Sequence, residues 1–84
     1  MGMDREAVAE RIRDFVIETG DWPKPREALT LDVPLLNHVI DSIGVISLVS
    51  LIESEFGVTV DDNDLAPANF ATIGSVVAFV ERRR

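Results

Sequence analysis

Ile46, Val49, Ile52 and Phe56 recur at intervals of three, three and four residues, a step that gathers side chains on one face of a helix and on no single face of a strand. The spacing predicts a helix from about Ser42 to Phe56. Two other segments read the same way. Asp4 to about Glu18 carries Val8, Ile12, Phe15 and Val16 on one stripe, with Arg5, Glu10, Arg11, Arg13 and Asp14 outside it, and Gly20 can end it. Behind Thr72, a good N-cap, Ile73, Val76, Val77 and Val80 repeat the helical spacing up to Arg82, Arg83 and Arg84, whose charges suit the negative end of a helix. Pro23, Pro25 and Pro34 cannot sit in helix interiors and bias the residues before them toward extended backbone, which makes residues 20 to 41 a long loop. A loop of that length needs anchoring in a compact domain, and Trp22, Leu29, Leu31, Leu35, Leu36 and Val39 supply apolar anchors. After Gly57, Val58 and Val60 alternate like a short extended segment. Asp61 or Asp62 can then cap a brief helix near Asp62 to Ala66, limited by Pro67. The expected fold is all-α: a small four-helix bundle of three main helices and one short helix, with a long loop between helices 1 and 2.

The 84 residues suit one domain spanning 1–84, long enough to bury roughly 60% of the unfolded surface without staples. There is no cysteine, hence no disulfide framework, thiolate metal site or cysteine nucleophile. A reactive thiol, if function needs one, must come from a cofactor. No apolar run approaches the roughly 18–20 residues that cross a bilayer, and the N-terminus MGMDREAVAERIRD is charged from its fourth residue, unlike a secretory signal. A cytoplasmic protein without membrane contact is expected, and a monomer.

The net charge of -7 is unevenly spread: between Arg26 and Arg82 stand Glu27, Asp32, Asp41, Glu53, Glu55, Asp61, Asp62, Asp64 and Glu81, with no Lys or Arg. A surface of one sign repels nucleic acid and speeds encounters with basic partners.

Asp41-Ser42-Ile43-Gly44 sits where the loop enters the second helix. Ser42 is therefore at or next to the N-cap, a position with two readings. It can simply cap the helix. Alternatively its exposed hydroxyl can carry a phosphate, because the first N–H groups of the helix are unpaired and the macrodipole favours an anion there by roughly 0.3–1 kcal/mol. Asp-Ser-x-Gly arises by chance in a chain of this length only about a few per cent of the time. Gly44 falls in the first turn, where glycine costs up to about 1 kcal/mol against alanine. A bulky group lying close over the backbone would explain it.

Other chemistry is poorly served. A calcium loop begun at Asp62 has Pro67 where glycine is needed and Ile73 where glutamate is needed. The hydrolase elbow G-x-S-x-G is absent. His38, the only histidine, precedes Ser42 by four residues, with no buried acid in view to orient it and no oxyanion pocket indicated. Neither catalytic residues nor a metal site is expected.

The stretch PLLNHVIDSIGVISLVSLIESEFGVTV resembles the core of the acyl and peptidyl carrier proteins. The resemblance runs from Leu31 through the Pro34-Leu35-Leu36 loop, Ile40-Asp41-Ser42 and the Glu-Phe-Gly turn to Phe70, Ile73 and Val80. It implies an acyl-carrier-protein-like bundle in which the long first loop packs over the helices. It also implies a covalent 4'-phosphopantetheine on Ser42, drawn from coenzyme A, whose thiol holds cargo as a thioester. Asp41 becomes the acidic neighbour that helps the modifying transferase dock, and Gly44 completes the cofactor-binding motif. Implied partners are a phosphopantetheinyl transferase, an adenylating or acyl-loading enzyme, and synthase or transferase enzymes with basic or apolar docking surfaces. His38 stands at the loop-helix junction, where many carriers have glycine.

The second helix departs from fatty-acid-synthesis carriers, which usually carry acids early in it. Here Gly44, Ser47 and Ser50 stand beside Val45, Leu48 and Leu51. Exposed apolar clusters mark interaction sites, so Val45 and Leu48, with Asp41 and Glu53, are the expected partner-docking residues; the other reading is that Leu48 and Leu51 widen the core face. The pattern leans toward a freestanding carrier of polyketide or nonribosomal-peptide type. The alternatives are a housekeeping fatty-acid carrier and an acidic helical adaptor in which Ser42 is only a cap.

Overall fold

A computed structural model describes residues 4–20 and 22–84. Met1–Met3 and Asp21 lie outside the described residues, and with them the first positions of the N-terminal segment and one position of the loop expected at 20–41. Three α-helices, α1 (Arg5–Thr19), α2 (Ser42–Phe56) and α3 (Ile73–Arg83), are joined by segments containing the 3-10 turns Arg26–Ala28, Asp62–Asp64 and Pro67–Phe70. The fold is all-α, and among the described residues no strand forms beyond an isolated Leu36–Ile40 bridge. Val58 and Val60, expected to alternate as an extended segment, form no strand pairing among the described residues, but the alternation is present: Val58 is buried and Val60 half-buried around exposed Thr59. They follow the left-handed Gly57 (φ 68°) that ends α2, a conformation glycine adopts without cost.

Each helix start is capped by the side chain before it. Asp4 accepts from Ala7 N–H at 2.7 Å, Asp41 from Gly44 N–H at 2.9 Å and Thr72 from Ser75 N–H at 3.0 Å. Such a cap is worth about 1 kcal/mol. Val8, Ile12 and Val16 of α1 meet Leu48 and Ile52 of α2 and Ile73, Val76, Val77 and Val80 of α3 in a single core.

The long first loop is tied into that core. Leu29, Leu35, Val39 and Ile40 are buried, whereas Leu31, expected as an anchor, is exposed; its carbonyl does the anchoring, accepting from Gly74 N–H at 2.8 Å. Leu35 N–H donates to Ala71 O at 2.7 Å, a second staple to the start of α3. Gly20 closes α1 without a left-handed backbone (φ −92°). Glycine is needed there for space: a Cβ would lie 2.6 Å from Val39 O and 2.8 Å from Val16 O. Gly20→Ala is therefore expected to lower stability by about 1–3 kcal/mol, as overpacking does, read as a lower midpoint in urea. An unchanged midpoint would mean that the loop yields freely at this contact.

The fourth helix is not an α-helix. Asp61 and Asp64 form a reciprocal capping box that closes one 3-10 turn, and Pro67 opens a second one instead of merely stopping the first. Phe70 from the second turn is buried against Phe79, with ring centroids 6.3 Å apart. The tail also differs from a simple helix-end feature. Arg84 pairs with Glu81, but Arg83 grips Asp64 with both terminal nitrogens.

Ion pairs lace α1 to its neighbours. Arg11 bonds Glu55 of α2 through Nε and Nη2 at 2.9 and 2.8 Å, and Glu10 accepts from Arg26 and Arg13. These hydrogen bonds, from Arg11 to Glu55 and chiefly from Arg26 to Glu10, hold both carboxyls below their ordinary value of 4.5. A depressed folded-state pKa means the contribution is complete above the ordinary value and lost as pH falls through the folded one. Melting temperature should be flat above about pH 5 and fall progressively in more acid solution. Arg11→Gln should make that fall shallower in a series of melts; an identical acid limb would show that the Arg11–Glu55 pair contributes nothing, as half-exposed pairs often do.

Candidate functional site

The turn before α2 is built around one carbonyl. Leu35 O accepts from the N–H groups of His38, Val39 and Ile40, and Asn37 takes the left-handed conformation this requires (φ 66°). Asparagine tolerates that region better than most residues. His38 does not occupy it, which is why histidine fits beside the junction. His38 is exposed, and among the described residues no hydrogen bond joins it to Ser42.

Asp41 is the N-cap and Ser42 the first residue of α2. Gly44 N–H is taken by the Asp41 carboxylate and Val45 N–H by Asp41 O, whereas the N–H groups of Ser42 and Ile43, at the positive end of the helix, have no hydrogen-bond partner among the described residues. Ser42 is exposed, and its hydroxyl is not used as the cap. Gly44 has a different cause from the one expected. It is buried on the inner side of α2, where a Cβ would lie 3.0 Å from Ile40 Cβ, so the loop's close approach to the helix favours glycine.

The face of α2 is also turned from the expectation. The buried residues are Gly44, Leu48, Leu51 and Ile52, a stripe rotated by roughly one residue's 100° step from Ile46, Val49, Ile52 and Phe56. Leu48, expected in the docking surface, is 0% exposed and belongs to the core. The exposed large apolar residues of α2 are Ile43 and Ile46, at 72% and 66%, while Val45 is half-buried. Glu53 is exposed and accepts from Val60 N–H at 3.1 Å, which fastens the chain after α2. Ser50, Glu53 and Ser54 share the outward side with Ile43 and Ile46; those polar positions were the signal in the sequence for which way the helix faces.

Beside Ser42 lies an apolar cleft of about 230 Å³, formed by Leu36, Val45 and Ile46 on one side and Leu65, Pro67 and Phe70 on the other. Sequence spacing could not bring residues 65–70 here, since no helical period links them to α2. A larger depression of about 640 Å³ opens on the other side of the helix start, between Gly20, His38 and Ile43, and Ser42 does not line it. The arrangement around Ser42 fits a tethered phosphodiester: an exposed serine, two N–H donors at the helix end for an anion, and an apolar cleft beside it. No groups of His, Cys, Asp or Glu among the described residues could hold a metal ion. No described helix is long and apolar enough to cross a membrane.

Comparison with known proteins agrees with this geometry. The family described as "Phosphopantetheine attachment site" matches residues 10–80. The chain is 44% identical over 80 residues to the "Acyl carrier protein" of Thermotoga maritima, covering 94% of each chain. It is 34% identical over 58 residues to the "Probable acyl carrier protein PigG" of a Serratia species, covering 68% of this chain and 67% of that one. No solved structure matches it. The chain thus belongs to the acyl carrier protein family, non-catalytic carriers that hold a covalently attached 4'-phosphopantetheine.

Proposed function

We propose that Ser42 is the residue that carries the 4'-phosphopantetheine arm, and that the outward face of α2 beside it is where partner enzymes dock. The observation behind this reading is the exposed Ser42 hydroxyl at the first position of α2, free of any capping duty and bordering an apolar cleft. A phosphopantetheinyl transferase would bring coenzyme A to this hydroxyl. The serine hydroxyl gives up its proton to a base of the transferase, its oxygen forms the new bond to phosphorus, the pyrophosphate linkage of coenzyme A breaks, and the nucleotide half leaves. When bound, the arm supplies a thiol that holds cargo as a thioester. The chain itself contributes position: Ser42 fixes the tether point, the Ser42 and Ile43 N–H groups favour the phosphodiester charge, and tethering keeps cargo at high local concentration for each partner.

Ile43 and Ile46, with half-buried Val45, are the apolar contacts in this reading, flanked by Asp41 and Glu53. Partners are synthase or transferase enzymes presenting an apolar patch rimmed by cations, since no Lys or Arg stands between Arg26 and Arg82. The absence of an acid in the first turn of α2 favours a carrier of polyketide or nonribosomal-peptide type over one of fatty-acid synthesis. Incubation with coenzyme A and a broad-specificity transferase, read by intact mass, tests the attachment. The arm-bearing protein is then offered to an adenylating loading enzyme and, separately, to a malonyl transferase of fatty-acid synthesis. Preferential loading by the second would reverse the pathway assignment and leave the carrier function intact.

A further inference from the structure

The outer wall of the cleft beside Ser42 belongs to the least regular part of the molecule. Between α2 and α3 the segment 61–70 contains only two single 3-10 turns, and Asp62, Asn63, Leu65, Ala66, Pro67 and Ala68 are all exposed. Two side chains hold it. At one end Phe70 is sunk in the core against Phe79. At the other, Asp64, the one charged residue buried among those described, receives both terminal nitrogens of Arg83. Leu65 and Pro67, the wall residues, lie between these anchors.

The polar anchor is unusually well fixed for a pair near the surface. Asp64 also accepts from Asp61 N–H at 2.9 Å, and its carbonyl accepts from the Asn69 side-chain amide at 2.8 Å. The Arg83 guanidinium lies 5.1 Å from the centre of the Phe79 ring, the same ring that packs on Phe70. A planar fork on a carboxylate, with its back to an aromatic ring, sets direction as well as distance. Segments that open locally are those with few buried apolar contacts, and if the pair let go the segment would be held chiefly by buried Phe70, with a 3.5 Å contact from Arg82 to the Asn69 side-chain oxygen beside it.

We propose that the Asp64–Arg83 pair is a latch that sets the width of the cleft beside Ser42, and with it how far a group tethered to Ser42 is shielded from water. The effect on a tethered group rests on Ser42 being the attachment residue; the effect on the segment does not. The wall moves as a unit hinged at Phe70, and α1 and α2 stay in place because neither contributes to the pair.

Amide hydrogen exchange of the unmodified chain tests the latch directly. Arg83→Gln and Asp64→Asn should each speed exchange across 61–70 about tenfold or more, as loss of a charged hydrogen-bonded pair predicts, with rates in α1 and α2 unchanged. Arg84→Gln, which removes a charge from the same tail but breaks only the contact with Glu81, should leave 61–70 as it was. A solvatochromic pantetheine transferred to Ser42 should emit further to the red in Arg83→Gln than in the parent chain. Faster exchange spread evenly over all three helices, or no change in 61–70, overturns the latch, as does an unshifted emission from fully labelled protein. If neither chain accepts the label, the attachment reading fails, while the exchange data still decide the latch.

Discussion

Ser42→Ala should abolish attachment of the phosphopantetheine arm while leaving the fold and its stability essentially intact. The parent chain, given coenzyme A and a transferase, should gain one arm by intact mass, and the variant none. Stability is the informative half of this prediction. Were serine the cap of α2, alanine would cost about 1 kcal/mol; but the cap is Asp41, which holds Gly44 N–H at 2.9 Å. At the first helical position alanine is at least as good a helix former as serine, so the change should stay within about 0.5 kcal/mol. Three other hydroxyls are already engaged. Thr72 and Ser75 bond each other at the start of α3, and Thr30 is taken by Asp32. A modified alanine variant, or a parent chain that refuses the arm, would remove the basis of the proposed function. A loss near 1 kcal/mol with no change in mass on either chain would favour an adaptor in which Ser42 acts structurally.

The second large effect separates two neighbours on α2. Leu48→Asp should unfold the protein at room temperature, whereas Ile46→Asp should keep its helical circular dichroism and melting temperature and lose efficient loading by partner enzymes. Leu48 is completely buried; truncating such a leucine costs about 2–5 kcal/mol, and a buried carboxylate without a partner adds several more. A chain of 84 residues has a total stability of only about 4–12 kcal/mol. Ile46 is 66% exposed, a setting in which substitutions usually change stability by less than about 0.5 kcal/mol, and a new acid near the start of α2 is well placed for the helix dipole. Its cost falls on docking, because a carboxylate replaces apolar contact at the edge of the Ser42 cleft. A folded Leu48→Asp variant would mean the core is far more yielding than its packing implies. Normal loading by Ile46→Asp would take this face out of the docking surface.

The inversion of Leu48 and Ile46 shows where reading the chain by spacing stops. In α2 two series fit a helical period, Ile46-Val49-Ile52-Phe56 and Gly44-Leu48-Leu51, and only the polar side carrying Ser50, Glu53 and Ser54 tells them apart. Periodicity shows that a helix forms, but not which of its two apolar faces turns inward. In α1 charged residues occupy the outer side, and in α3 Gly74, Ser75 and Ala78 do, so the buried stripes Val8-Ile12-Val16 and Ile73-Val76-Val77-Val80 follow directly from the sequence.

What the residues alone determined is local: three capped helices, a proline-marked loop, the position of Ser42 at a helix start, and the acidity of everything between Arg26 and Arg82. Each depends on interactions within a few positions along the chain, which spacing and capping rules describe. Tertiary packing decided the rest. It fitted Gly44 against Ile40, made the short helix a 3-10 turn at Asp62–Asp64 and added a second at Pro67–Phe70, and brought Leu65, Pro67 and Phe70 across from Ser42 to make the cleft. Those outcomes depend on contacts between residues distant in sequence, whose energies no local period encodes.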